Sequence, residues 1–340
     1  MKKFLVVCAA ASLLCLTGTA QEFYRVAEAD DAGRGVGLSV IPRLDLNFDG
    51  DFTFGDSSLY SLFEGDITDN FSFSICNHWA NFGLADGKFD TDGITSLYKN
   101  TLRSDDVNWL DWGYATLSFG NFGFSLGKQA LTFGGFEFDA YDFESYSFLN
   151  SSLWNNLQVY QWGAKLEWTN DSENTTLSLQ MTTSPFGERP FTSNLYNYAF
   201  EWRGEYGDYQ SIFSALAVQT APGEYYPLVS LGQRQTLNDS FTVGLDVYDA
   251  VGDETDMMAK GVTFIPSIIF APGEKFSITG RFGAEYNAVS KNKDFVAGLN
   301  AEWLPLDDGS LRLHLASGYR NDDNLFSVTL GLLYYLTFSL

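Results

Sequence analysis

The last sixteen residues, Leu325 to Leu340, alternate between an apolar row and a mostly small, polar row. Phe326, Val328, Leu330, Leu332, Tyr334, Leu336, Phe338 and Leu340 fall on one side, and Ser327, Thr329, Gly331, Thr337 and Ser339 on the other. Successive side chains of a strand point to opposite faces, so the segment reads as one long strand with a greasy face. Strands in soluble proteins run to about 5–6 residues. One that crosses a bilayer at a tilt needs about 9–11, with apolar side chains toward lipid. A chain that ends this way is expected to close a transmembrane β-barrel.

The beginning of the chain agrees about the compartment. Met1-Lys2-Lys3 is a basic start, Phe4 to Leu16 an apolar core, and Gly18-Thr19-Ala20 a small-residue stretch before a cut at Gln21. Residues 1–20 therefore read as a secretory signal peptide and 21–35 as a polar periplasmic lead-in, with the barrel over 36–340. The expected location is the outer membrane of a Gram-negative cell. Cys8 and Cys15 leave with the signal, so Cys76 stands alone and no internal disulfide is available. The remainder has no apolar run long enough for a membrane helix. The full chain's 32 glycines and 16% aromatics suit strands whose apolar face is diluted by a polar interior. The formal net charge of −23 disfavours nucleic acid and anionic lipid as electrostatic partners and favours cations.

Alternation and turn residues divide the rest into about 16 strands, an even number as a bacterial single-chain barrel requires. Thr68-Asp69-Asn70, Gly120-Asn121, Gly207-Asp208 and Ala271-Pro272-Gly273 supply hairpin turns. Long polar stretches at 80–108 and 132–156 alternate with such turns. With both termini in the periplasm, short turns lie inside and long loops outside. Strands four, nine and twelve show no clear phase.

From about Leu97 to Trp168 the chain resembles the porin O and P family of outer-membrane channels. The resemblance rests on Leu97-Tyr98-Lys99-Asn100, Asn108-Trp109-Leu110-Asp111-Trp112, Gly120-Asn121-Phe122 and Leu126-Gly127-Lys128-Gln129, with Ile67-Thr68-Asp69-Asn70-Phe71 earlier. It implies a 16-stranded, often trimeric, diffusion channel, whose founding members select phosphate or polyphosphate with arginines and lysines along the pore.

The stretch from Thr132 to Asn156 carries Glu137, Asp139, Asp142 and Glu144 among Phe133, Phe136, Phe138, Tyr141, Phe143, Tyr146 and Phe148, with no Lys or Arg. It joins strands five and six, and in general porins the third loop folds into the barrel and narrows it. The aromatics are expected to pack on the inner wall while the carboxylates face the channel. The face away from lipid offers Gln161, Lys165, Glu167, Glu201, Arg203, Asp246, Arg281, Glu285, Glu302, Arg312 and His314. Such groups on a water-filled wall set ion preference or pair with one another within the wall.

Asp45-Leu46-Asn47-Phe48-Asp49-Gly50, with Asp56 in the twelfth place, matches the start of a calcium loop, as Asp86 to Asp92 does more loosely. Strand-like flanks and ordinary turn chemistry offer the competing explanation. Catalysis is not expected: His78 and His314 are the only histidines, and Ser317 falls on the opposite strand face from His314. No cofactor is called for. The reading is a porin that lets small hydrophilic solutes and ions diffuse passively. Its alternatives are an anion- or oligosaccharide-selective channel and a closed barrel acting as a receptor or adhesin.

Overall fold

The computed structural model describes residues 35–50, 52–81, 110–187, 194–251, 259–288, 290–321 and 324–340. The expected signal peptide, nearly all of the expected lead-in, the motifs within 97–109 and the Asp86–Asp92 calcium candidate lie outside the described residues.

The strands are β1 (Val36–Phe48), β2 (Ser58–Thr68), β3 (Phe71–Asn81), β4 (Leu110–Phe119), β5 (Phe122–Ala130), β6 (Tyr160–Thr169), β7 (Thr175–Thr183) and β8 (Tyr196–Tyr206). They continue as β9 (Tyr209–Ala221), β10 (Glu224–Asn238), β11 (Phe241–Val251), β12 (Ala259–Gly273), β13 (Phe276–Asn287), β14 (Lys293–Trp303) and β15 (Leu311–Arg320). The last, β16, runs over Leu325–Tyr334 and resumes at Leu336–Ser339 after a break at Tyr335. A two-residue piece, Phe52–Thr53, folds back on the end of β1.

Each strand pairs antiparallel with the next, and β1 pairs with β16. The seam register sets Arg43 against Leu333, Asp45 against Gly331 and Gly37 against Ser339. The sheet is therefore a closed barrel of 16 antiparallel strands, and closure leaves no unpaired edge.

Period-two alternation decides which residues face out. In β1, Leu44, Leu46 and Phe48 are exposed, whereas Ser39, Ile41, Arg43, Asp45 and Asn47 are buried. In β16, Leu330 is 59% exposed and its neighbour Thr329 only 2%. Leu117, Leu126, Leu179, Phe264, Ile268, Leu299 and Leu315 continue the exposed apolar surface around the ring. Water would make so extended a greasy surface untenable, whereas a bilayer satisfies it.

Seven short turns crowd one end of the barrel, among them Gly120 and Gly207 with φ of 59° and 64°, a region where a side chain would strain the backbone. The two longest connections, 82–109 and 131–159, leave from the other end. That end also has a tight turn at Pro222-Gly223, so the alternation of long and short is not strict.

The outward face gives a direct check on orientation. Leu330→Arg is expected to cost about 2–4 kcal/mol of barrel stability, the range for an arginine on a lipid face near mid-bilayer. Leu330→Phe should be tolerated. Folded yield in detergent reads the difference, and equal yields would mean that β16 faces the other way. Thr329 is unsuitable as a neutral lumen control, because its hydroxyl donates to Asn47 Oδ1 at 2.8 Å.

Candidate functional site

The connection from Leu131 to Val159 is built of short pieces. Phe136–Asp139, Asp142–Glu144 and Ser147–Leu149 form single 3₁₀ turns, followed by a helix, α1 (Ser152–Asn156). Ser151 caps α1, its hydroxyl accepting the Trp154 N–H at 3.1 Å. The first 3₁₀ turn exposes unsatisfied N–H groups, and Asp246 of β11 takes two of them. The Phe136 and Glu137 N–H groups each donate to its carboxylate at 2.9 Å. Gly135 makes this approach achievable, since a Cβ there would collide with Asp246 Oδ1.

The acidic side chains do not stand free. Arg203 of β8 forks onto Asp139, donating at 3.0 and 2.6 Å, and also donates to Glu201 at 2.6 Å. Arg312 of β15 donates to Glu144 at 3.0 Å, and the Tyr335 hydroxyl to the same carboxylate at 2.8 Å. Arg281 of β13 donates to Glu137, which also accepts from the Ser151 N–H and hydroxyl at 2.8 and 2.7 Å. These pairs are direct contacts, not charges opposed across open water. An arginine fork satisfies a carboxylate more completely than water in so confined a space. The side chain of Asp142 is outside the described set.

The wall residues inferred from the sequence are brought into the same network. Glu285 accepts the Ser152 N–H and hydroxyl at 2.7 and 2.6 Å. Glu302 accepts the Tyr146 hydroxyl at 3.3 Å and lies 3.6 Å from Arg312. Lys165 and Glu167 pair at 3.1 Å.

Arg43 and Arg234 went unnoticed in the sequence. Arg43 donates to Asp45 at 3.0 and 2.7 Å and to the carbonyls of Phe143 and Ser145 at 3.1 and 2.6 Å. Arg234 lies 4.0 Å over the Phe136 ring. Both occupy lumen-phase positions in strands otherwise scanned for apolar residues, so counting the opposite phase would have found them.

The calcium candidates resolve differently. Asp45 and Asn47 lie within β1, not in a loop. Asp45 is fully buried between Arg43 and His314, whose Nε2 is 2.7 Å from its Oδ1. His314 and Asp45 sit on strands flanking β16 and meet over Gly331, where a Cβ would strike both. Asp56 is 3.7 Å from Arg43, and the Asn47 amide donates to Asp49 at 3.2 Å. An arginine stands where the metal reading places the cation.

Between this connection and β3–β8 lies a cavity of about 180 Å³. Trp112, Tyr114, Tyr141, Tyr160 and Phe138 line it together with Asp139, Lys165, Glu167, Glu201 and Arg203. Trp112 stacks on Tyr141 (5.4 Å, 16°), Tyr141 on Phe143 (5.0 Å, 17°), and Tyr160 tilts against Trp112 at 5.4 Å. Tyr160, the first residue of β6, sits beside this stack.

No family model and no curated protein sequence matches the chain. Solved structures do match in fold. A mutant of the Rh. blastica porin aligns with TM-score 0.56 at 14% identity, over 88% of this chain and 100% of that one. The outer membrane channel DcaP of Acinetobacter baumannii gives 0.56 at 15% identity, over 90% and 99%. OmpT of Vibrio cholerae lacking its loop L8, an outer membrane protein, gives 0.56 at 11% identity, over 90% and 100%. The chain shares with them the porin-type barrel.

Proposed function

We propose that this protein is an outer-membrane porin, exported by its signal peptide, through which small hydrophilic solutes and ions diffuse passively. The observation that carries the reading is the division of one closed sheet into an apolar outer face and an inner face of charged and polar side chains. A water-filled interior tolerates such an inner face, and a sealed protein core does not. The contacts of the 131–159 connection with β1, β8, β11, β13 and β15 support a segment lying inside the barrel that narrows it. The barrel fold shared with porins and a channel supports the same reading.

A relation to the porin O and P family rests on the short motifs alone, and a trimer is proposed on the same footing. A phosphate path is less favoured, because Arg43, Arg203, Arg281 and Arg312 are each held by a carboxylate. With acidic residues in excess, the pore should prefer cations at low salt, weakening as salt screens the field over about 8–10 Å.

Planar-bilayer recording across a salt gradient tests both points. Asp139→Asn leaves the Arg203 fork short of one carboxylate charge, and the reversal potential should move toward anion preference. A chain that inserts yet carries no current would refute the channel. Wild-type anion preference would restore the phosphate reading.

A further inference from the structure

We propose that the cavity between β3–β8 and the 131–141 stretch is a binding site for a neutral, polyhydroxylated ring, a single hexose unit in size. The proposal rests on the channel reading and names the solute class for which this part of the lumen is shaped. Its volume of about 180 Å³ is a little above that of a cavity of ~150 Å³ that takes benzene, a single six-membered ring. One six-membered sugar ring fits such a space.

The lining has two characters. One part is aromatic: Trp112 packs against Tyr141 and Tyr160, and the half-buried Tyr114, Tyr141 and Tyr160 line the cavity. Flat aromatic surfaces accept the C–H faces of a sugar ring, which are apolar although its rim is not. The other part is ionic and internally paired, with one carboxylate in excess over the two cations. Arg203 is shared between Asp139 and Glu201, and Lys165 lies 3.1 Å from Glu167.

Paired charges of this kind make poor sites for a free ion. An anion would face three carboxylates in the lining, and an organic cation would have to compete with Arg203 and Lys165 for them. They remain strong partners for hydroxyl groups, which both donate and accept without carrying charge. Ser74, Gln129, Thr132 and Thr176 add neutral hydrogen-bonding groups around the same space. Apolar faces with a hydroxylated rim, and no net charge, describe a sugar.

The test is single-channel recording with glucose, sorbitol, phosphate and choline added in turn at equal concentration. Glucose should block the current saturably. Sorbitol, which has a similar complement of hydroxyls but no ring, should act only by viscosity. Tyr160→Leu should weaken glucose block about tenfold by removing an aromatic face, while Tyr160→Phe preserves it. Heat-dependent mobility in detergent gels verifies that each variant is folded, and quenching of tryptophan fluorescence by glucose gives a reading that needs no current. A folded protein that carries no current yet binds glucose would sink the channel reading and leave the site standing. Equal block by sorbitol and glucose, saturable block by phosphate or choline instead, or unchanged glucose block in Tyr160→Leu would overturn the site.

Discussion

Replacing Arg43 with alanine is expected to loosen the 131–159 connection and raise single-channel conductance and its noise, with the barrel still closed. Arg43 is 3% exposed and spends its guanidinium on Asp45 and on the carbonyls of Phe143 and Ser145. Its ion lies 5.0 Å from the Tyr146 ring. Removing one partner of a buried ion pair costs about 3–5 kcal/mol, because the other charge is left without compensation. Lysine at this position keeps the charge but lacks the fork needed to serve a carboxylate and two carbonyls at once, so Arg43→Lys should fall between. An unchanged conductance in Arg43→Ala would show that these contacts do not hold the connection in place.

A second large effect is expected at Asp246. A buried N–H left without its acceptor costs about 1–3 kcal/mol, and Asp246 accepts two from consecutive residues of the connection. Asp246→Ala should therefore release the first 3₁₀ turn and expose Phe136 and Phe138 to chymotrypsin in detergent-solubilised barrels. Gly135→Ala should produce the same cleavage by another route, pushing the carboxylate away from its two donors. Protection equal to wild type in both variants would remove Asp246 as the anchor.

The strands and their outward faces were legible in the sequence because alternation is a local signal. Where the phase was ambiguous, the structure supplies the reason. Leu216 and Val218 of β9 and Ile265 of β12 point inward and pack with the connection, in a cluster that includes Leu131, Phe133 and Leu153. In β4, inward Trp112 and Tyr114 meet Tyr141 or its cluster. Strands whose inner face meets a packed segment are apolar on both sides, and period two fades from them. Individual wall charges were equally legible, since Glu201, Arg203, Asp246, Arg281 and Arg312 lie on the polar phase. Their partners were not. Arg203 and Asp139 are 64 positions apart, and Arg312 and Glu144 are 168 apart. Nothing local in a sequence encodes a meeting across the interior of a barrel.

The meeting of Asp45 and His314 over Gly331 bears on how the cylinder knows when to shut. Slipping β16 by one residue along β1 would turn Leu330 and Leu332 inward. Slipping it by two preserves the faces but brings Thr329 or Leu333 to the place of Gly331, and the new Cβ occupies the space through which His314 reaches Asp45. A mis-set seam then carries a buried carboxylate deprived of one partner as well as a steric block. The glycine thus works as a keyhole: of the circumferences that greasy alternation alone would allow, only one lets the first and last strands lock.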